Sequence, residues 1–145
     1  MSDCVLCQLL AGELPVTFVY RDEECAALMD IQPVNHGHVL VIPTKHVPYL
    51  ADLDSETAGH LMQHAQRIAA AIRKTDVQCE GIDLFLADGE AAGQEVFHVH
   101  LHVFPRYKND GFGFKFRPGY TDRPPRAELD RIGAQIVDAL NGTLG

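Results

Sequence analysis

The chain has 145 residues, 46% apolar and 22% charged, which suits one globular domain with a real core and excludes a disordered or fibrous polymer. Twenty acids against twelve bases leave a formal charge of −8, which argues against tight non-specific binding to nucleic acid. No run approaches the roughly 18 apolar residues needed to span a bilayer, so no membrane association is expected.

The N-terminal stretch MSDCVLCQLLAGELP has neither a basic n-region nor a sustained apolar core, so a cytoplasmic location is expected. Four cysteines (Cys4, Cys7, Cys25, Cys79) in that setting are expected to be thiols or metal ligands rather than disulfides. Residues 3–11 predict a short helix with Asp3 as N-cap, Leu6, Leu9 and Leu10 at helical spacing, and Gly12 as the stop. TFVYR (17–21) and CAALM (25–29) predict a hairpin about Asp22, Glu23 and Glu24. HVLVIP (38–43), preceded by the turn signals Pro33, Asn35 and Gly37 and ended by Pro43, predicts a third strand.

Ala58, Leu61, Ala65, Ile68 and Ile72 fall on one face of a helix predicted over 55–74, with Asp54 as its cap. DLFLA (83–87) and VFHVHLHVF (96–104) predict two further strands. They are joined by DGEAAGQE, whose glycines suit a phosphate-sized loop as well as an ordinary turn. A Gly- and Phe-rich stretch, GFGFKFRPGY (111–120), leads through Pro124 and Pro125 into a last helix carrying Leu129, Ile132, Ile136 and Leu140. The order predicts an α+β fold, a five-stranded antiparallel sheet with about three helices, in one domain over 1–145 with a C-terminal extension from about residue 118.

The alternation in 98–102 carries the chemistry. On a strand His98, His100 and His102 share one face, and Phe97, Val99, Leu101 and Val103 form the opposite, core face. A rise of ~3.3 Å per residue sets neighbouring rings ~6.6 Å apart, close enough to surround one small anion. Mutual repulsion keeps at least one ring neutral and nucleophilic at pH 7. Metal ligation is the rival use of His-x-His on a strand. A cupin-like barrel needs more strand than this chain offers, however, and the acid that completes a hydrolytic metal site is missing nearby.

Cys-x-x-Cys at a helix start reads as a redox pair, a zinc half-site or two buried thiols, and no strand precedes it as a thioredoxin-like role requires. His60 and His64, four residues apart on the long helix, suit a solvated face, and His36 is assigned no role.

HVHLHVF, with GEAAGQEVF before it and MDIQPVNHGHVLVIPTKH further upstream, resembles the signature of the histidine triad family of nucleotide hydrolases and transferases over about residues 4–117. CVLC and PRYKNDGFG look most like its bacterial branch. The resemblance implies a homodimer whose two sheets join into one. It also implies cleavage of a nucleoside 5′-phosphate from its leaving group, in a phosphoramidate or dinucleoside polyphosphate, through a nucleotidyl-histidine. By position it makes His100 the nucleophile, His102 the phosphate ligand on the leaving-group side and His38 the supporting histidine, with no metal at the reacting centre.

Asp30 matches the acid that holds the ribose hydroxyls, and Leu6, Leu9, Leu14 and Ile31 match the purine pocket, though periodicity also makes these four core residues. Gly93, Gln94 and Glu95 match the phosphate loop, whose backbone N–H groups can form an anion nest. Cys4, Cys7, His46 and His98 match a structural Zn2+ site, leaving Cys25 and Cys79 as buried thiols. Ala87 departs from the family, which places an amide side chain there near the nucleotide. That departure keeps open a nucleotide-binding adaptor with little turnover, and a metallohydrolase built on the triad is a third reading.

Overall fold

A computed structural model of the protein describes residues 3–144, which fall into two units, residues up to Phe112 and residues from Gly113 on. The first unit runs α1 (Val5–Leu10), β1 (Phe18–Arg21), β2 (Cys25–Met29), β3 (Val39–Pro43), α2 (Ser55–Ile72), β4 (Gly81–Phe85) and β5 (Leu101–Arg106). Its sheet is antiparallel throughout, in the order β1-β2-β3-β5-β4. The expected α+β architecture is therefore present.

The sheet is covered on both faces, which is why β2 and β3 read as unbroken apolar runs rather than alternating ones. Cys25, Ala27, Val39, Val41, Leu101 and Val103 pack on one side with Leu61, Ala65 and Ile72 of α2. Ala26, Leu28, Leu40 and Ile42 pack on the other with Leu6 of α1. His102 pairs across the ladder with Leu40, so it belongs to the α1 face, away from α2.

Four expectations shift. The predicted strand over 96–104 becomes regular only at Leu101, and the cause is Pro43. The register pairs Val39 with Val103 and Val41 with Leu101, so the next rung would set Pro43 against Val99, and proline has no N–H to continue the ladder. The Val99 N–H turns instead to the Val47 carbonyl at 2.8 Å. His98 and His100 therefore lie just outside the sheet, and Phe97 is 40% exposed rather than core. Asp3 is not the cap of α1: Cys4 occupies the N-cap position without a side-chain cap bond. β4 begins at Gly81, two residues before the predicted DLFLA run, and the long helix stops at Ile72.

In the second unit, helix α3 (Arg126–Leu144) leaves Leu129, Ile132, Ile136 and Leu140 each at least 40% exposed. No helix among the described residues is long and apolar enough to cross a membrane.

The Asp54 carboxylate caps α2 as predicted, accepting from the Thr57 N–H and the Thr57 hydroxyl, both at 2.9 Å. Asp54→Ala should lower unfolding free energy by about 1 kcal/mol in a urea titration. Asp54→Asn should retain most of it.

Candidate functional site

Three elements bring the histidines together. β2 and β3 form a hairpin whose loop end is closed by the Asp30 N–H donating to the His38 carbonyl at 3.0 Å, which places Asp30 and His38 side by side. His102 stands on the neighbouring strand β5, and its ring centroid lies 5.1 Å from that of His38 and 4.9 Å from that of His100. The latter separation is shorter than the ~6.6 Å of an ideal strand. His100 precedes the ladder and tilts toward its neighbour.

The partners of each ring decide where its proton sits, because a backbone carbonyl only accepts and a backbone N–H only donates. The His98 carbonyl lies 2.7 Å from His100 Nδ1, so that nitrogen carries the proton and the lone pair is on Nε2. The Val34 N–H donates to His38 Nδ1 at 3.0 Å, so His38 carries its proton on Nε2 and donates to His102 Nδ1 at 2.9 Å. His102 must then present an N–H at Nε2.

No buried side-chain nitrogen or oxygen among the described residues lacks a partner. The Nε2 atoms of His100 and His102, to which the chain offers none, therefore open to solvent. The result is one lone pair and one N–H donor on adjacent rings. That is the pair of functions needed to attack a phosphorus and to hold one of its oxygens.

Burial keeps His38 and His102 neutral. Desolvation lowers the pKa of His102 to about 4, helped by His100 and His38 and opposed by Asp30. It also lowers that of His38, where the Asp30 carboxylate, 3.6 Å from Nε2, opposes it and His100 adds to it. The other Asp30 oxygen accepts from the Gln32 N–H at 2.8 Å.

The first triad member faces elsewhere. His98 is fully buried and donates from Nε2 to the Pro43 carbonyl at 2.8 Å, which leaves the Nδ1 lone pair aimed at Cys4 Sγ (3.6 Å) and Cys7 Sγ (3.5 Å). His46 Nδ1 lies 3.4 Å from Cys7 Sγ, and all four ligand atoms lie within 4.8 Å of one another. A tetrahedral zinc with bonds of ~2.3 Å to sulfur and ~2.0 Å to nitrogen separates those atoms by about 3.5 Å. Two thiols and two imidazoles at that spacing fit zinc.

The other predicted site residues differ in their exposure. Leu6 is buried in the core beneath the sheet and Leu9 is half-buried against it, whereas Leu14 is exposed and Ile31 is 96% exposed. In the loop before the triad, the Gly93 N–H donates to the Glu90 carbonyl (2.9 Å) and the Gln94 N–H to the Gly89 carbonyl (3.1 Å). Those two N–H groups close the loop on itself instead of forming an anion nest, because Gly93 at φ +93° completes a short 3-10 turn.

The buried Gln94 side chain pins the loop by donating to the Pro48 carbonyl at 2.7 Å. Ala87 is buried, and the neighbouring Asp88 carboxylate accepts from the Leu50 N–H at 3.0 Å, so it does not replace the missing amide.

One positioning group was not foreseen. Asn35, expected only as a turn signal, is buried and donates to the Pro105 carbonyl and to Asp110, both at 2.9 Å, tying the His38 loop to the end of β5. Arg106 holds Asp110 from the other side at 2.6 Å and drives its carboxyl well below the usual carboxylate range. The i, i+4 spacing of Arg106 and Asp110 was the only trace of this in the sequence.

With this geometry in hand, comparison with known proteins is direct. A model of the HIT domain matches residues 11–109, and the chain belongs to that histidine triad family. It is 37% identical to Protein hit of Bacillus subtilis, the alignment covering 96% of this chain and 95% of the relative. It is 35% identical to adenylylsulfatase HINT3 of Arabidopsis thaliana, over 96% of this chain and 68% of the relative. A crystal structure of a zinc-bound histidine triad family protein from Mycobacterium smegmatis superposes with a TM-score of 0.73 at 35% identity, covering 97% of each chain.

The lowered pKa values carry a pH signature. His102 and His38 titrate below the ordinary 6.5 in the folded chain, so between the two values unfolding takes up protons that the native state refuses. Their contribution to stability is whole above pH 6.5 and is lost as the pH falls toward 4. Calorimetric melting temperatures should fall over that window, and His102→Gln should flatten the fall.

Proposed function

We propose that this protein binds a purine nucleoside 5′-phosphate derivative and transfers its nucleotidyl group through His100 to water. One observation carries the reading: the His98 carbonyl accepts a hydrogen bond from His100 Nδ1–H, leaving an outward-facing Nε2 lone pair beside an N–H on His102. In the first step the His100 Nε2 lone pair forms a bond to the α-phosphorus while the bond from phosphorus to the leaving group breaks, the electron pair departing with that group. His102 Nε2–H donates to a phosphate oxygen on that side. Positive charge developing on the His100 ring is stabilised by the His98 carbonyl at Nδ1.

In the second step water attacks phosphorus and gives up a proton to solvent, the phosphorus–nitrogen bond breaks, and His100 recovers its lone pair while the nucleoside monophosphate leaves. Asp30 supplies a carboxylate for the ribose hydroxyls. Leu9, Leu14 and Ile31, with Leu6 beneath, would offer apolar contact to a purine, and the Glu95 N–H, with the Gly93 and Gln94 N–H groups engaged in the loop's own turn, is the group of this loop left to bind a phosphate oxygen.

Phosphoramidates and dinucleoside polyphosphates are the proposed substrates. The name of the Arabidopsis relative adds a third class of activated nucleotide, a mixed anhydride with sulfate. All three share a nucleotidyl group on a competent leaving group.

The Cys4, Cys7, His46 and His98 set would hold zinc as a structural ion, which supplies two thiolate and two imidazole bonds linking α1 to the residues around β3 and β5. Asp30, His38 and His102 also lie within metal-ligand reach of one another. There, however, the proton shared between His38 and His102 occupies the nitrogens a metal would need, so a reacting-centre metal is disfavoured. The adaptor reading draws on Ala87, which removes one polar contact. Four cysteines outside any disulfide suit the reducing cytoplasm.

The proposed unit is a homodimer in which the edge strand β4 finds a partner. Leu84 and Phe85 of that strand are 46% and 38% exposed. Light scattering at micromolar concentration should give twice the 16.0 kDa chain mass; a monomer would contradict it.

His100→Ala should reduce turnover of an adenosine phosphoramidate by 10³-fold or more while leaving nucleotide affinity nearly intact. Turnover near the wild-type value would refute the covalent mechanism. Turnover of the wild type that is slow in every nucleotide class, with tight binding, would favour the adaptor.

A further inference from the structure

The chain carries its nucleophile on a segment that the sheet does not hold. Because Pro43 ends the ladder, residues 96–100 are attached by a few discrete bonds: Val99 N–H to the Val47 carbonyl (2.8 Å), His98 Nε2–H to the Pro43 carbonyl (2.8 Å), and the Gln94 amide to the Val96 carbonyl (3.2 Å). The first of these is bracketed by the two histidines of the thiol-imidazole cluster, since His46 precedes Val47 and His98 precedes Val99. A cation bound by His46 and His98 therefore closes a ring around the main-chain bond that replaces the missing rung. The carbonyl of His98 is in turn the acceptor for His100 Nδ1.

We propose that the Cys4, Cys7, His46 and His98 centre, loaded with a thiophilic divalent cation such as zinc, positions the nucleophile, with His98 as the positioning residue. Its ring is fixed from both nitrogens, so its peptide is fixed, and its carbonyl holds the His100 ring in the tautomer and direction that attack requires. This rests on the reading of His100 as nucleophile. Without the ion, His98 Nδ1 has only weak S–H partners and the 96–100 segment keeps its isolated hydrogen bonds. The cation thus acts on the reaction rate without touching substrate. Nucleotide affinity, set by groups outside this segment, should change little.

The test compares zinc-loaded wild type, wild type stripped with a chelator and reloaded with zinc, and His46→Ala. The last removes one ligand from an exposed position and leaves the core intact. Amide hydrogen exchange of the peptide spanning Val99 to Leu101 is read beside the β2 and β3 peptides, and kcat and KM are measured for an adenosine phosphoramidate. Stripping or His46→Ala should speed exchange at Val99–Leu101 by about tenfold or more, leave β2 and β3 protected, and lower kcat by about tenfold or more with KM within about threefold. Zinc should restore the stripped wild type and not the variant.

Unchanged exchange at Val99–Leu101, a change in KM alone, or no zinc in protein purified without chelator would each overturn the proposal. Exchange rising equally through β2 and β3 would also overturn it, since the ion would then hold the whole fold. Faster local exchange in a protein whose loaded form turns over no nucleotide would refute the nucleophile assignment and leave the positioning of the segment standing.

Discussion

The His98 carbonyl is the acceptor on which the site depends. By accepting a hydrogen bond from His100 Nδ1–H it settles which nitrogen of that ring carries the lone pair. A second main-chain group, the Val34 N–H, does the same for His38, and His38 passes the choice on to His102. Two backbone atoms thereby assign the protons of three imidazoles, and the Asp30 carboxylate beside His38 Nε2 favours the same arrangement. Rings left to titrate freely near their ordinary pKa would present a mixture of charged and neutral forms at pH 7. Here burial beneath the sheet surface removes the charged form of His102 and His38, and the backbone selects the tautomer.

The same backbone atoms explain why the site lies where it does. β3 starts beside His38 and ends at Pro43, and that proline has two consequences. It cannot donate, so β5 leaves the ladder before His98 and His100. It can accept, so its carbonyl turns the His98 ring and points the other nitrogen at the two cysteines. The triad thus divides by function: His98 belongs to the thiol cluster, while His100 and His102 face solvent. Equal spacing in the sequence conceals that division.

Much of the architecture was legible from periodicity. Asp54, the apolar stripe of α2 and the hairpin about Asp22 follow from local chemistry, and local chemistry prevails where long-range contacts agree with it. Alternation in HVHLHVF placed three histidines on one face but extended the strand too far, because the effect of Pro43 acts across the sheet and has no signature within 96–104. Asp3 looked like a cap, yet α1 begins one residue later with Cys4 at its N-cap and Cys7 one turn on, both facing His98. Gly93 and Gln94 suggested an anion nest from composition alone, while the tight turn at Gly93 uses their N–H groups internally. Asn35 escaped notice because its partners, Pro105 and Asp110, are about 70 residues away, and such contacts leave no periodic trace.

The proton assignment is the claim from which the chemistry follows, and nitrogen-15 correlation spectra of the histidine rings read it directly. At pH 7 in the absence of nucleotide, His100 should carry a proton on Nδ1, and His38 and His102 should be neutral with theirs on Nε2. A His100 ring protonated at Nε2, or a His102 ring carrying both protons at pH 7, would contradict the account.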